Sequence, residues 1–317
     1  MIYYVCRDDN TPSGGRRVLY RHVDILNEAG IPASILHMNP NFRLTWFQNE
    51  TAVANFQDAV ITPDDYLVFP ETFGPDIMRF ASIMRFVGQA NIIIFNQNAH
   101  YTHSGYRGDE QKTAYHLDNL KGVMVVSDHN KELLEYTFPF LTVDRVIVGI
   151  DTDLFTYSPD KEKLICYMPR RGANDIAQVI HTLKWRGALE GWQVVAIDGL
   201  SHEGVAAVMK RAAIFLASGS QEGCPMPPLE AAACGCVVIG YDGYGGRDYW
   251  KYLRPRYVNP GDILEFSLQV EGAIEYFNER GHNATIRPGI SGDISFKYSP
   301  TAERDSVLAF WEKRGEA

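Results

Sequence analysis

Short apolar runs rich in β-branched and aromatic residues alternate along the chain with stretches of helical periodicity, and this alternation restricts the fold more than any other feature. Ile2–Cys6, Ala33–His37, Tyr66–Phe69, Ile92–Phe95, Val123–Val126 and Val146–Val148 read as buried strands. Between them, Val18, Leu19, His22, Val23, Leu26 and Ala29 line one helical face that Gly30 closes. Pro75–Phe86 and Ser127–Tyr136 read as further helices, the second with Ser127 as its N-cap. Strands that alternate with helices require a parallel sheet covered on both faces, because the crossover joining two parallel strands is long enough to hold a helix. The expected fold class is α/β, doubly wound and Rossmann-like.

The rhythm then restarts. Tyr157–Lys163 is polar, contains Pro159 and reads as a linker. After it come a strand at Leu164–Met168, a loop holding Pro169, Arg170, Arg171 and Gly172, and a helix from about Asn174 to Trp185. Trp192–Ile197, Ala213–Ala217 and Val237–Gly240 continue the strands, with helices at His202–Arg211 and Pro228–Cys234. The 317 residues are about twice the usual length of one domain. The expected division is a first domain over 1–156, a second over 157–298, and a terminal amphipathic helix over 299–317. Ser299-Pro300 opens that helix, and Val307, Leu308, Phe310 and Trp311 give it one apolar stripe. The stripe must be buried on its own domain or on the first.

Composition narrows the function classes. A net charge of −9 argues against broad nucleic-acid binding, which needs a basic face. No apolar run is long enough for a membrane span, and five cysteines in a large chain suggest reduced thiols and a cytoplasmic location. Cys224, Cys234 and Cys236 lack a second ligand pair at zinc spacing, and no Asp-x-Asp motif is evident, so no metal is expected. Cys6 and Cys166 lie in apolar strands and read as core.

The segment with the most specific chemistry is Ser218–Gly240, SGSQEGCPMPPLEAAACGCVVIG. It follows a short strand, carries Glu222 and Gly223 in a proline-rich loop, and opens a helix at Pro227-Pro228. That start puts Glu230 in the first helical turn. Free backbone N–H groups and the positive end of the helix dipole suit such a junction to phosphate, and a carboxylate there can accept two hydrogen bonds from a ribose diol. The plain alternative is that Glu230 only complements the dipole.

Glu222, Gly223, Pro227, Leu229, Glu230, Ala231, Ala233, Cys234 and Gly235 together resemble the donor-site signature of the retaining GT-B glycosyltransferases of family 4: two acids eight positions apart, then an Ala-rich helix and Cys-Gly. Pro12-Ser13-Gly14-Gly15 resembles the family's N-terminal Gly-Gly loop. Val146–Phe155 looks like the segment closing its first domain, and Gly245-Gly246 and Tyr257–Asp262 resemble its C-terminal turns. The resemblance implies two Rossmann-like domains facing a cleft, with the nucleotide-sugar on the second and the acceptor on the first. It implies that Glu230 holds the ribose and that Glu222 contacts hydroxyls of the transferred sugar. The N–H groups of Gly223, Cys224 and Met226, with Gly14 and Gly15 of the first domain, would then face the donor. The family's Arg is matched by Arg170 or Arg171, whereas Asn174 and Asp175 stand where its Lys is expected. Two adjacent Arg suit a diphosphate, because guanidinium binds phosphate oxygens bidentately; two solvated loop arginines is the plain alternative.

In the first domain, Asn96–Tyr106 follows a strand and is polar and aromatic, the setting in which doubly wound folds collect ligands. By the same resemblance a His there contacts the donor sugar. His100 and His103 both qualify, and His100 is closer to the strand. The expectation is a metal-independent glycosyltransferase that moves a sugar from a nucleotide-diphosphate donor to a carbohydrate or glycolipid hydroxyl with retention. It needs no cofactor, binds no nucleic acid and has no membrane span, though peripheral membrane contact stays compatible with it. The rivals are an epimerase or synthase on the same fold and a catalytically silent sugar-nucleotide-binding subunit. Donor turnover separates silent from active, and product analysis with and without acceptor separates transferase from epimerase.

Overall fold

The computed structural model describes residues 1–83, 89–108, 111–253 and 256–315. Contacts divide the chain into two compact units, Met1–Val148 with Glu303–Ala317, and Gly149–Ala302.

The first unit holds β1 (Ile2–Val5), β2 (Ala33–His37), β3 (Val53–Asn55), β4 (Tyr66–Pro70), β5 (Asn91–Asn96), β6 (Leu120–Val125) and β7 (Val143–Arg145) in one sheet of order β3-β2-β1-β4-β5-β6-β7. Neighbouring strands are parallel throughout. β1, β2 and β4 are buried along their whole length, as strands of a sheet covered on both faces must be. Among the helices are α1 (Gly14–Glu28), α2 (Asp76–Ile83) and α3 (Asp128–Thr137). α1 buries Val18, Leu19, His22, Val23 and Leu26 as its periodicity requires. Ser127 caps α3, its hydroxyl accepting the Asn130 N–H at 3.2 Å. Residues 84–86 of the expected second helix lie outside the described residues.

The second unit holds β8 (Glu162–Tyr167), β9 (Gln193–Ala196), β10 (Ala212–Ala217), β11 (Val237–Gly240) and β12 (Arg256–Tyr257) in a parallel sheet of order β12-β11-β10-β8-β9. Its helices include α4 (Ala173–Trp185), α5 (His202–Arg211), α6 (Met226–Ala233), α7 (Arg247–Trp250), α8 (Ile263–Arg280) and α9 (Pro288–Lys297). Lys161, read from the sequence as part of a polar linker, is instead 4% exposed. Its ammonium donates to the Met209 and Lys210 carbonyls, each at 3.0 Å, so it satisfies acceptors that the end of α5 leaves unpaired.

The terminal helix α10 (Pro300–Glu312) starts with Ser299 as its cap, the hydroxyl accepting the Ala302 N–H at 3.0 Å. From Glu303 onward it belongs to the first unit. There the fully buried Glu303 pairs with Arg21 of α1, and Trp311 stands edge-on to Tyr66 at 5.2 Å. Val307 and Phe310 are also buried, each such side chain contributing roughly 1.5–3 kcal/mol.

Several expectations need correction. Val146–Val148 is not a strand. The strand is β7, three residues earlier; the Val146 N–H makes a last bond to the Val125 carbonyl, and the Ile147 N–H turns to the Ser306 hydroxyl. Gly14 and Gly15 are not in a loop but are the first residues of α1. α6 starts at Met226 rather than at Pro227-Pro228.

Candidate active site

Because both sheets are parallel, every strand's carboxyl end lies on one edge, and the loops leaving that edge gather there. In each unit the first strand has neighbours reached in opposite directions, which makes a switch point where doubly wound folds open a crevice. In the second unit this point lies between β8 and β10, and in the first between β1 and β4.

At the second unit's switch point the loop after β8 carries Arg170 and Arg171, and the loop after β10 carries Glu222. The Arg171 Nε lies 3.1 Å from the Glu222 carboxylate. Burial pushes the Glu222 carboxyl up from its ordinary value, and the Arg171 charge acts against that shift. Arg171 and Arg170 are exposed, whereas the Glu222 side chain is only 20% exposed.

The loop 218–225 is fixed by backbone bonds and by two hydroxyls. The Ser218 hydroxyl donates to the Arg171 carbonyl at 2.5 Å, and the Glu222 N–H to the Gly243 carbonyl at 2.9 Å. The Gly245 N–H donates to the Glu222 carbonyl at 3.1 Å, and the buried Tyr249 hydroxyl to the Pro225 carbonyl at 2.6 Å. These approaches need glycine at two positions. Gly172 has φ +64°, and a Cβ there would strike the Ser218 carbonyl; a Cβ on Gly245 would strike the Gly223 carbonyl.

Met226, as the first residue of α6, has an N–H without an intrahelical acceptor. Glu230 is the fifth residue of α6, so it lies beyond the first turn, against the sequence expectation. The dipole explanation for Glu230 weakens with that placement, since the effect falls off within the first turn. Its carboxylate lies 3.8 Å from Nε2 of His202, the first residue of α5, and His202 stands edge-on to Phe155 at 5.0 Å. Asp175, at the position of the expected Lys, accepts the Tyr241 hydroxyl at 2.7 Å, and that hydroxyl accepts the Gly261 N–H at 3.0 Å. The position is therefore built into a structural link between α4 and the loops after β11 and β12.

In the first unit, His100 lies in a short turn, Ala99–Tyr101, directly after β5. The Asn98 side chain accepts its N–H at 3.1 Å, and its ring lies 5.5 Å from that of His129 in α3. Burial, and then the charge that His129 can carry, push the His100 imidazole below its ordinary value, which favours the neutral ring. His103 is exposed. Glu71 follows β4, accepts the Gln97 N–H at 2.9 Å and is buried; the Gln97 amide in turn donates to the Gly15 carbonyl at 3.1 Å.

The structure thus gathers Arg171, Glu222, Gly223, Cys224, Met226 and Glu230 on one edge of the second unit, and Gly14, Gly15 and His100 on one edge of the first. His202, Glu71, Gln97 and His129 escaped the sequence reading. An acid directly after the strand ending in Pro70 was the available signal for Glu71. The cysteines are all free, and no cluster of three or more His, Cys, Asp or Glu occurs among the described residues. No helix among them is long and apolar enough to cross a membrane.

The family described as "Glycosyl transferases group 1" matches residues 188–262, the stretch that carries Glu222 and Glu230. An α-1,6-glucosyltransferase of Actinobacillus pleuropneumoniae serotype 7 (strain AP76) is 27% identical over 314 residues, covering 90% of this chain and 87% of the relative. Among solved structures, the lipopolysaccharide outer core galactosyltransferase WaaB superposes with a TM-score of 0.67 at 12% identity, covering 98% of this chain and 99% of that one. An α,α-trehalose-phosphate synthase (UDP-forming) from Burkholderia xenovorans gives 0.64 at 10% identity, covering 99% of each. At such identities these two likenesses show the fold, which is GT-B.

Proposed function

We propose that this chain, a group 1 glycosyltransferase on the GT-B fold, moves a hexose from a nucleoside-diphosphate donor to an acceptor hydroxyl with retention of anomeric configuration. The observation that carries the reading is the Arg171–Glu222 pair at the switch point of the second unit, inside or beside the stretch that the family matches. In this reading Glu230 binds the ribose diol, and Glu222 binds hydroxyls of the sugar. Arg171 and Arg170, with the N–H groups of Gly223, Cys224 and Met226, bind the diphosphate. A guanidinium and a set of fixed N–H donors stabilise a leaving diphosphate without reorganising during the reaction.

The bond from the anomeric carbon to the phosphate oxygen breaks as the bond to the acceptor oxygen forms. The acceptor proton passes to the leaving phosphate on the same face. His100, favoured in its neutral form, orients the sugar and is not needed as a base. Basic side chains and a helix N-terminus meet the diphosphate charge, so turnover should survive chelation; complete loss in chelator, restored by Mn²⁺, would refute that part.

The named activity of the Actinobacillus relative makes glucosyl donors the first to test. A thermal-shift panel of nucleotide-sugars identifies the donor, since a ligand at 100 times its Kd adds about 2.7 kcal/mol of stability. NMR of the product anomer then tests retention, and a product of opposite configuration to the donor rejects the mechanism.

A further inference from the structure

We infer that Glu71 is a positioning residue for transfer: its buried carboxylate, acting through Gln97, locks the turn that carries His100 against the start of α1. This deepens the glycosyltransferase reading and rests on it.

Glu71 is 5% exposed and follows β4 at the first unit's switch point. Its carboxylate accepts the Gln97 N–H at 2.9 Å and is bonded by the N–H groups of Asn98 and of Glu71 itself. Gln97 carries the link onward, since its side-chain amide donates to the Gly15 carbonyl at 3.1 Å. Asn98 carries it the other way, accepting the His100 N–H at 3.1 Å. One carboxylate therefore connects the Gly14–Gly15 start of α1 with the turn holding His100, two places that the sequence singles out separately. The next loop residues close the same contact, because Gly74 lies against the Ser104 carbonyl.

Among the described residues no cation forms an ion pair with Glu71. A buried carboxylate without a cation is costly, and a protonated or amide side chain of the same shape would fill the space at lower cost. The charge is useful only if the N–H groups it holds must stay in place. Burial pushes the Glu71 carboxyl up to about 7, with the three N–H bonds acting against that shift. The ionised form that holds the turn is thus depleted as pH falls through neutrality.

Other ionisable groups surround this site. Tyr115 presents a buried hydroxyl that the Glu71 charge pushes further up. Arg7, from the loop after β1, donates to the Thr72 carbonyl at 3.1 Å, stacks on Phe73 and reaches Asp76 of α2. His100 and, from α3, His129 complete the set. Both factors acting on His100 push it down, so its protonation does not reproduce an acid limb centred at 7.

The test compares the full-length wild type with Glu71→Gln and Gln97→Ala. It reads kcat, donor KM, the pH profile of kcat, and the backbone amide resonances of Gln97 and Asn98. The wild-type amides should titrate with a midpoint near 7 and stop doing so in Glu71→Gln. Glu71→Gln should lower kcat roughly 10- to 100-fold with donor KM unchanged, the loss expected when a reacting group is slightly misplaced, and should remove the acid limb. Gln97→Ala should lower kcat similarly while keeping that limb. An unchanged kcat and pH profile in a folded Glu71→Gln protein overturns the inference but leaves the glycosyltransferase reading intact. Should Glu71→Gln fail to fold, wild-type amides that stay flat through neutral pH, or an unaffected Gln97→Ala, overturn it equally. Absence of any donor turnover in the wild type rejects the functional reading instead, and the amide titration still decides whether the link exists.

Discussion

At the carboxyl edge of the second sheet the loop carrying Glu222 is held by backbone bonds, close glycine contacts and the Ser218 and Tyr249 hydroxyls, whereas at the edge of the first the loops are joined through a buried carboxylate and side-chain amides. In the second unit, Glu222 and Gly223 are clasped by Gly243 and Gly245, and Gly172 is pressed against Ser218. That arrangement sets the path of the loop carrying Glu222 and leaves its carboxylate to face Arg171 of the loop after β8, while Glu230 is held by α6. In the first unit, Glu71, Gln97 and Asn98 spend their polar atoms on maintaining the path. Substituting an acid in the second unit should therefore cost ligand binding and little structure. In the first unit a substitution should cost geometry, and so turnover.

The most severe way to break the contrast is to spoil the backbone contact itself. Gly245→Ala puts a methyl group into the Gly223 carbonyl, so the loop must move. The expected cost is about 3 kcal/mol, the upper end for forcing extra volume into a packed site. Hydrogen exchange should localise the lost protection to β10, β11 and the loops after them, with β1 and β4 unaffected, and donor binding should fail. Normal donor affinity in Gly245→Ala would mean that the backbone clasp does not set the loop.

Next in size is His100→Ala. Turnover should fall by about 10²-fold, as for a lost positioning or charge-stabilising contact, with nucleotide affinity nearly unchanged. Kinetics beside calorimetry separates the two quantities. An unaffected variant moves the role to His103 or elsewhere.

Glu230→Ala sharpens the contrast from the other side. It should weaken nucleotide binding by about 1.5–3 kcal/mol, the range for hydrogen bonds to a charged group, while the fold is kept. Unchanged calorimetric affinity in a folded protein removes Glu230 from the ribose. The same experiment on His202→Ala reports how far the neighbouring imidazole, 3.8 Å from the carboxylate, helps to orient it.

The same difference explains what could be read without a structure. In the second unit Glu222, Gly223 and Glu230 share one continuous segment, so they stand out together through its resemblance to a known signature, while Arg170 and Arg171 come from a separate loop. The first unit's candidate residues 15, 71, 97 and 100 are joined through hydrogen bonds between the start of α1 and the loops after β4 and β5, and no local pattern records such a link. Strands in the middle of each sheet were legible because both faces are buried and the runs are uniformly apolar. α8 was not, although it buries Phe266, Val270, Ala273, Ile274 and Phe277 on one face. Leu264, Leu268 and Tyr276 stand exposed on its other side and Gly272 interrupts it, which blurs the periodicity. Two consecutive prolines read as the first helical residues and put Glu230 in the first turn, whereas Met226 already belongs to the helix.

The smallest effect concerns how charge completes the first unit. Asp144 of β7 receives Lys313 at 2.6 Å and Arg314 at 3.1 Å from the end of the chain. Burial alone would raise its carboxyl, but the hydrogen bonds and charges of Lys313 and Arg314 outweigh burial and hold it below its ordinary value. A carboxyl whose folded value is depressed contributes stability above its unfolded value and loses it as pH falls through the folded one. Asp144→Asn should therefore destabilise the protein by up to roughly 1 kcal/mol near neutral pH, the ceiling for a pair whose Lys is mostly exposed. The difference from wild type should shrink as pH drops below the ordinary carboxylate range and vanish once Asp144 itself is protonated. Denaturant titrations at neutral and acid pH measure both ends. A difference that persists in acid would show that Asp144 acts through packing rather than charge.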